Sequence, residues 1–238
     1  MRTFGLIGKD LSHSFSKNYF TKKFLSENIT DAEYLNFELK NISDFKLLIN
    51  KNNLSGLNVT IPYKESIIPF LDELSEAAKQ IGAVNTIQFI NNKLTGHNTD
   101  YIGFKEAILP LLKKENNALI LGNGGASKAI QFALNRLNIQ YKIVSRKTSF
   151  NYLDISKEIT EYHNIIINTT PLGTFPNTEE KPPIPYELLN KNHVLYDLVY
   201  NPAETQFLKL GKQKNCQVKN GLEMLKKQAE ASWNIWNS

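Results

Sequence analysis

The sequence contains one cysteine among its 238 residues and no long apolar run. Cys216 alone cannot form a disulfide within the chain and supplies no thiolate cluster for a metal, which favours a reducing compartment and a cytoplasmic protein. No apolar segment approaches the roughly 20 residues that a membrane-spanning helix needs. The apolar part of residues 1–8 is too short for a secretory signal and predicts a first strand instead. We therefore expect neither a membrane segment nor a bound metal.

Basic residues are in excess but are not concentrated in one segment. The net charge is +5, and the lysines lie in scattered pairs such as Lys22 and Lys23 or Lys113 and Lys114. A nucleic-acid site would cluster such residues on one face, with aromatic residues between them. We therefore expect no nucleic-acid partner, and a surface that attracts small anions modestly.

Segments typical of strands and of helices alternate along the chain, which predicts an α/β fold. The predicted strands cover 2–8, 34–39, 56–60, 118–121, 141–144, 165–168 and 194–197, and an antiparallel pair covers 83–90 and 93–97. The predicted helices cover 15–28, a segment around 45–49, 65–71, a segment ending at 81, 100–114, 127–137, 203–214 and 221–236. The proline-rich segment 171–185 predicts a loop. One sheet ends near residue 100, where we place a domain boundary.

A glycine-rich turn follows the apolar strand 118–121 and precedes a helix. It consists of Gly122, Asn123, Gly124, Gly125 and Ala126. Glycines in this context let the backbone approach a pyrophosphate at the N-terminus of the helix. The turn lacks the spacing of a P-loop and therefore favours a dinucleotide. A strand-to-helix turn without any ligand is the alternative.

The end of the following strand selects the cofactor. NAD-binding folds usually place a carboxylate there for the ribose 2′-hydroxyl, whereas this chain has Ser145, Arg146 and Lys147 after Val144. Two cations at this place can face a 2′-phosphate, and an arginine can stack on adenine. The sequence therefore predicts NADP, unless Arg146 and Lys147 are ordinary surface charges.

A lysine and an aspartate are the candidates for the chemistry. Reduction of a ketone by hydride creates an alkoxide, which needs a general acid close by. Lys64 follows the turn at Pro62, and Asp100 can hold the Lys64 ammonium group and bond a substrate hydroxyl. Taken singly, Lys64 is also compatible with an exposed surface lysine, and Asp100 with the cap of the next helix.

Taken together, these segments resemble the shikimate dehydrogenase family over nearly the whole chain. The shared motifs, in chain order, are His13-Ser14-Phe15-Ser16, Asn58-Val59-Thr60-x-Pro62-x-Lys64, Gly82-Ala83-Val84-Asn85-Thr86, Gly96-x-Asn98-Thr99-Asp100-x-x-Gly103, the glycine turn, Asn168-Thr169-Thr170, Asp197-Leu198-Val199-Tyr200-Asn201-Pro202 and Asn220-Gly221-Leu222-x-Met224-Leu225-x-x-Gln228. Eight such motifs in one order are highly specific.

The resemblance implies reversible reduction of 3-dehydroshikimate to shikimate with NADPH, in the synthesis of chorismate and the aromatic amino acids. It implies an α/β substrate domain with a mostly parallel sheet, formed by residues 1–100 and 221–238. It also implies a Rossmann-like NADP-binding domain of residues 101–220, with a cleft between the two. We expect a small-molecule substrate and a monomer or homodimer.

The resemblance also implies roles for single residues, with Lys64 as the acid and base of the reaction and Asp100 as its partner on the substrate hydroxyls. Ser14 and Ser16, at the start of a predicted helix, would bind the substrate carboxylate, although the alternative is that Ser12 or Ser14 only caps that helix. Neutral donors and acceptors suited to a hydroxylated ring are Thr60, Asn85, Tyr200 and Gln228. The implied cofactor residues are Gly122, Asn123, Gly124, Gly125, Ala126, Ser145, Arg146, Lys147, Thr169, Leu198 and Gly221.

The chain departs from the family pattern at Asn123, Ser145, Thr174 and Leu198, which concern cofactor affinity and the packing of the nicotinamide. Two alternatives follow. One is a quinate/shikimate dehydrogenase that uses NAD, although the missing carboxylate after Val144 disfavours it. The other is a non-catalytic dinucleotide-binding regulator on the same scaffold, which would not need to retain Lys64 and Asp100.

Overall fold

The computed structural model describes residues 1–12, 14–91, 93–146 and 148–238, and the chain divides into two units. The first unit consists of residues 1–99 and 228–238, and the second consists of residues 100–227. The first unit resumes at Gln228, within the last helix and seven residues after the expected boundary at residue 221. Within the described ranges, no helix is both long and apolar enough to cross a membrane.

The first unit is built on a six-stranded sheet. Its elements are β1 (Arg2–Gly8), α1 (Phe15–Ser26), β2 (Ala32–Glu38), α2 (Phe45–Lys51), β3 (Leu54–Val59), β4 (Glu73–Leu74), α3 (Glu76–Ile81), β5 (Thr86–Ile90) and β6 (Lys93–His97). The strand order is β2-β1-β3-β5-β6-β4, and only the pairs that β5 makes with β3 and β6 are antiparallel. The mostly parallel sheet expected from the sequence is confirmed. The predicted helix 65–71 is wrong: this segment forms turns and a short 3-10 helix, Ile68–Phe70, because Pro69 lacks the N–H that a longer helix requires.

Aromatic side chains attach the end of the last helix, α8 (Leu222–Trp236), to the sheet of the first unit. Trp236 stacks on Phe4 with ring centroids 4.9 Å apart, and its indole N–H donates to the Ile87 carbonyl oxygen at 3.0 Å. Gly56 of β3 allows this approach, because a Cβ there would overlap the indole ring. This packing fixes the helical turns that carry Gln228.

The second unit is a five-stranded parallel sheet with the order β11-β10-β9-β7-β8. Its elements are α4 (Asp100–Ile108), β7 (Asn117–Leu121), α5 (Gly125–Arg136), β8 (Gln140–Val144), α6 (Lys157–Tyr162), β9 (Ile165–Asn168), β10 (Val194–Asp197), α7 (Gln206–Gln213) and β11 (Gln217–Lys219). The helix predicted for 100–114 ends at Ile108 and is followed by a 3-10 helix, Leu109–Leu111, because Pro110 lacks the N–H that a longer α-helix requires. The predicted Rossmann-like α/β arrangement is confirmed, and the carboxyl ends of β7, β8, β9 and β10 lie at one edge of the sheet, where such folds bind ligands.

Candidate functional site

The glycine turn after β7 is shaped by contacts with the residues that follow β9. Gly122 has φ of +107°, which favours glycine, and a Cβ on it would lie 2.8 Å from the Thr169 hydroxyl oxygen. That hydroxyl donates to the Leu121 carbonyl oxygen at 2.8 Å. The structure thus brings together Gly122 and Thr169, two of the residues predicted for the cofactor.

The N-terminus of α5 is open above this turn. Gly124 occupies the N-cap position without a side-chain cap, and no atom lies within 4 Å of the place where its Cβ would be. The first turn of the helix, which includes Gly125 and Ala126, carries no acidic residue. Its N–H groups and the positive end of the helix dipole therefore suit a phosphate.

A cavity of about 740 Å³ lies over this helix end. Gly122, Asn123, Gly124, Ser145, Arg146 and Thr169 line it, all of them predicted cofactor residues. This size falls within the usual range for small-molecule sites. An open cavity over the N-terminal turn of a helix, with a guanidinium in its wall, fits a dinucleotide that carries several phosphates.

The wall at the end of β8 holds the residues predicted to select NADP. Ser145 is buried, and its N–H and hydroxyl both contact the Thr148 hydroxyl oxygen, at 3.1 and 3.2 Å. Arg146 is exposed. Burial raises the pKa of the Tyr152 hydroxyl, and the positive charge of Arg146 acts in the opposite direction. Lys147, also predicted for this site, lies outside the described residues.

Another part of the cavity lining was not predicted from the sequence. It includes Glu179, Glu180 and Lys181, which belong to the proline-rich loop, and Tyr152 also contributes to the lining. The Gln206 side chain holds this loop by donating to a Glu179 carboxylate oxygen at 2.9 Å. Prolines identify the segment as a loop, but nothing in its residues indicates that it folds back over the glycine turn.

Leu198 and Gly221, the last two predicted cofactor residues, are in direct contact. A Cβ on Gly221 would overlap the Leu198 carbonyl oxygen, so only glycine fits there. Its N–H donates to the Val199 carbonyl oxygen at 3.1 Å. Tyr200, which was predicted to bind substrate, directly follows Val199 and is half-buried. Burial raises the pKa of its hydroxyl.

Asp197, just before Leu198, is a fully buried carboxylate that the sequence reasoning did not assign to any role. It accepts hydrogen bonds from the Thr205 hydroxyl at 2.5 Å, the Asn168 amide at 2.9 Å and the Val199 N–H at 3.0 Å. Burial raises its pKa to about 6, although these bonds act in the opposite direction. Asp197 therefore ties the ends of β9 and β10 to the start of α7.

Two predicted substrate residues, Asn85 and Gln228, meet in the first unit. Both side chains are buried, and the Asn85 amide donates to the Gln228 side-chain oxygen at 3.2 Å. The Thr99 hydroxyl joins them, with its oxygen 2.9 Å from Asn85 Nδ2 and 3.3 Å from Gln228 Oε1. These groups form a compact set of neutral donors and acceptors, suited to ligand hydroxyls.

Lys64 lies in the turn that leads to this polar set. Its carbonyl oxygen accepts from the Val84 N–H at 2.7 Å, and the Asn85 carbonyl oxygen accepts from the Val59 N–H at 2.9 Å. The turn begins with Thr60, whose N–H donates to the Ile7 carbonyl oxygen at 2.9 Å. Backbone bonds therefore hold Thr60, Lys64 and Asn85 in one part of the first unit.

Ser14 and Ser16 lie at the start of α1, as expected. The Ser14 side chain caps the helix by accepting from the Lys17 N–H at 3.3 Å, which agrees with the capping alternative and leaves a carboxylate-binding role untested. Ser16 follows as the second residue of α1 and is half-buried. Asp100 is buried and is the first residue of α4, so it follows the position that a capping residue would occupy.

Comparisons with known proteins agree with this arrangement. The family model described as the shikimate dehydrogenase substrate binding domain matches residues 6–87. The shikimate dehydrogenase (NADP(+)) of Clostridium beijerinckii is 41% identical over 250 residues, which cover 99% of this chain and 92% of that protein. The similarity therefore extends over both units.

Solved structures show the same similarity. The shikimate 5-dehydrogenase of Thermus thermophilus, in complex with NADP(H) and shikimate, matches with a TM-score of 0.88 at 29% identity, covering 99% of this chain and 93% of that one. The quinate dehydrogenase of Corynebacterium glutamicum, in complex with NAD, matches with a TM-score of 0.89 at 27% identity and coverages of 99% and 93%. The same fold therefore occurs in a shikimate 5-dehydrogenase with NADP(H) and in a quinate dehydrogenase with NAD.

Proposed function

We propose that this chain, which belongs to the shikimate dehydrogenase family, reduces 3-dehydroshikimate reversibly to shikimate with NADPH. The observation that carries the proposal is the buried amide pair of Asn85 and Gln228 in the unit whose adjoining turn holds Lys64. The dinucleotide cavity with Arg146 in its wall supports the choice of cofactor. An oxidoreductase acting on a CH–OH group requires these two kinds of binding site.

Lys64 would handle the proton in this reaction. When bound, NADPH supplies the hydride to the carbonyl carbon. The Lys64 ammonium group would donate a proton to the carbonyl oxygen as negative charge develops there, and would take it back in the reverse direction. Asp100 would accept a hydrogen bond from a substrate hydroxyl and orient the Lys64 side chain.

The remaining substrate residues would orient the ring. The amides of Asn85 and Gln228 offer bonds to ring hydroxyls, and the Thr60 hydroxyl lies in the same turn as Lys64. Ser14 and Ser16, at the N-terminus of α1, would bind the carboxylate, which the helix dipole favours. Tyr200 would contribute its hydroxyl from the loop after β10.

Gly122, Gly124 and the first turn of α5 would hold the pyrophosphate, and Arg146 the 2′-phosphate. Thr169, Leu198 and Gly221 would contact the remaining dinucleotide. The absence of a carboxylate after β8 supports NADP over NAD, although the similar quinate dehydrogenase binds NAD. Rates with NADPH and NADH, and with shikimate and quinate, distinguish the two possibilities.

The direct test follows NADPH absorbance after purified protein is mixed with 3-dehydroshikimate. Lys64→Ala should lower kcat about 10²- to 10⁴-fold, the usual contribution of a general acid, with little change in the KM for shikimate. Lys79→Ala, which removes an exposed lysine of the same unit, is the matched control and should behave like the wild type. Absence of turnover in the wild type would refute the proposed function. A large loss of affinity with kcat preserved would make Lys64 a binding residue.

A further inference from the structure

Ser232 is a fully buried hydroxyl on α8, one turn beyond Gln228. Its oxygen lies 2.7 Å from the Thr86 hydroxyl oxygen, 3.1 Å from the Thr99 hydroxyl oxygen and 3.0 Å from the Asn58 amide nitrogen. It also lies 3.0 Å from the Gln228 carbonyl oxygen. Ser232 thus bonds α8 to β3, to β5 and to the residue before α4.

We infer that Ser232 is a positioning residue for the substrate, which orients the side-chain amides of Asn85 and Gln228 through a buried hydroxyl network. The inference rests on the proposed function, because it concerns the residues proposed to bind shikimate. Ser232 itself is assigned no contact with substrate. Its effect would pass through its bonds to Thr86, Thr99 and the backbone of Gln228.

Donor and acceptor chemistry determines how the two amides are oriented. The Thr99 backbone N–H, which can only donate, lies 2.6 Å from Asn85 Oδ1 and therefore fixes that atom as the oxygen. The other branch of the Asn85 amide is then an NH₂ group, and it donates to Gln228 Oε1. The oxygen of Gln228 is consequently turned towards Asn85. A rotation of either amide by 180° would place like groups against each other.

The hydroxyls of Thr86, Thr99 and Ser232 complete this arrangement. Each has one proton to donate and can accept two hydrogen bonds, so each can connect several neighbours at once. The Thr86 and Thr99 oxygens both lie 3.2 Å from Asn85 Oδ1, and both also contact Ser232. Ser232 donates its single proton to the Gln228 carbonyl oxygen and accepts from Asn58, so it can accept from only one of the two threonines, which leaves the other to donate to Asn85 Oδ1.

The network also extends across the sheet to β2. Asn58 donates to Ser232 and Thr86, and accepts from the Tyr34 hydroxyl at 2.8 Å. Tyr34 belongs to β2, so the series of hydrogen-bonded side chains runs from β2 through Asn58 to Ser232 of α8.

The test uses the full chain with Ser232→Ala, which removes only the hydroxyl. Asn58, Thr86 and Thr99 each lose a partner, so the threonine hydroxyls that bond Asn85 and Gln228 can turn elsewhere and hold the two amides less firmly. We expect the KM for shikimate to rise about tenfold, the effect of one or two net hydrogen bonds, while the KM for NADP⁺ stays within about twofold. The rise in Tm that shikimate produces without cofactor should decrease in parallel, which measures binding independently of turnover.

Two further variants separate positioning from a general loss of stability. Thr86→Val removes the neighbouring hydroxyl without changing side-chain shape; it should raise the same KM, and combining it with Ser232→Ala should add little. Thr160→Val is the control: Thr160 is also buried and also donates to the carbonyl oxygen four residues earlier, at 2.9 Å, but lies in α6 of the second unit. It should leave the KM for shikimate unchanged.

The results would distinguish this inference from the proposed function. A wild type that turns over, with both Ser232→Ala and Thr86→Val within twofold of its KM for shikimate, overturns the positioning role and leaves the function intact. Equal losses in the KM for shikimate and for NADP⁺ would also overturn it, because they indicate a general structural defect. If Ser232→Ala does not fold, Thr86→Val alone decides the question.

Discussion

Replacing Asp197 by asparagine should make the protein more stable, and more so as the pH rises. The carboxylate is fully buried and has no cation among its hydrogen-bond partners in the described part of the chain. Asparagine keeps one oxygen, which can still accept from Asn168 and the Val199 N–H. Its NH₂ group would face the Thr205 hydroxyl oxygen, which can accept. The substitution therefore removes a buried charge while conserving the shape and most of the bonds.

The size of the effect follows from linkage. Burial raises the pKa of Asp197 from 3.8 to about 6, so between these values the folded protein binds a proton that the unfolded chain does not. Stability contributed by this group is therefore highest at low pH and is lost as the pH rises towards 6. A difference of about two pKa units means that ionised Asp197 lowers the free energy of unfolding by about 3 kcal/mol above pH 7. At pH 5 the loss is about half as large.

Urea unfolding of the wild type and of Asp197→Asn at pH 5 and pH 8 measures this effect. We expect the difference in unfolding free energy between the two proteins to grow by about 1.4 kcal/mol between these pH values, which corresponds to the change in charge state. Other titrating groups cancel in this comparison, because they are common to both proteins. A difference that is the same at both pH values, or larger at pH 5, would refute the reasoning.

Other predictions concern the second unit. Arg146→Ala should raise the KM for NADPH about 10- to 100-fold, as expected for loss of a charged hydrogen bond, while the KM for NADH and the control Arg136→Ala stay near wild-type values. An unchanged KM for NADPH would place the 2′-phosphate elsewhere. Gly221→Ala should lower the free energy of unfolding by about 3 kcal/mol, because its Cβ would overlap a carbonyl oxygen. Gly124→Ala, where space is open, should change stability by less than about 0.5 kcal/mol yet weaken NADPH binding in equilibrium titration; equal destabilisation of both glycine variants would contradict this steric argument.

Much of the fold followed from local sequence patterns. Apolar strands ended by turn residues predicted β1, β3 and β7–β10 to within two residues of each end, because such strands are buried and continuous. The errors have local causes as well. Pro69 and Pro110 stop helices whose apolar spacing suggested longer ones, since spacing carries no information about a missing N–H.

The candidate site was less accessible to sequence reasoning. The glycine turn and the Arg146 segment could be found because each is contiguous and each demands particular residue types. Asp197 was quoted within a motif, but its burial and its three donors come from residues as distant as Asn168 and Thr205. No pattern around Asp197 indicates those partners, so its raised pKa is visible only in the fold.

Ser232 shows most clearly why residues one layer behind a binding site escape such reasoning. In the sequence it is a small polar residue on a helix, four positions after Gln228, and an exposed serine would have the same local pattern. Its role depends on Asn58, Thr86 and Thr99, which meet it only when α8 packs on the sheet through Trp236. The aromatic packing of α8 and the polar network therefore act together: the indole fixes the depth and rotation of the helix, and the Ser232 hydroxyl bonds the helix to the threonines that contact Asn85 and Gln228. Substitutions in either part should consequently alter recognition of the same substrate without any contact to it.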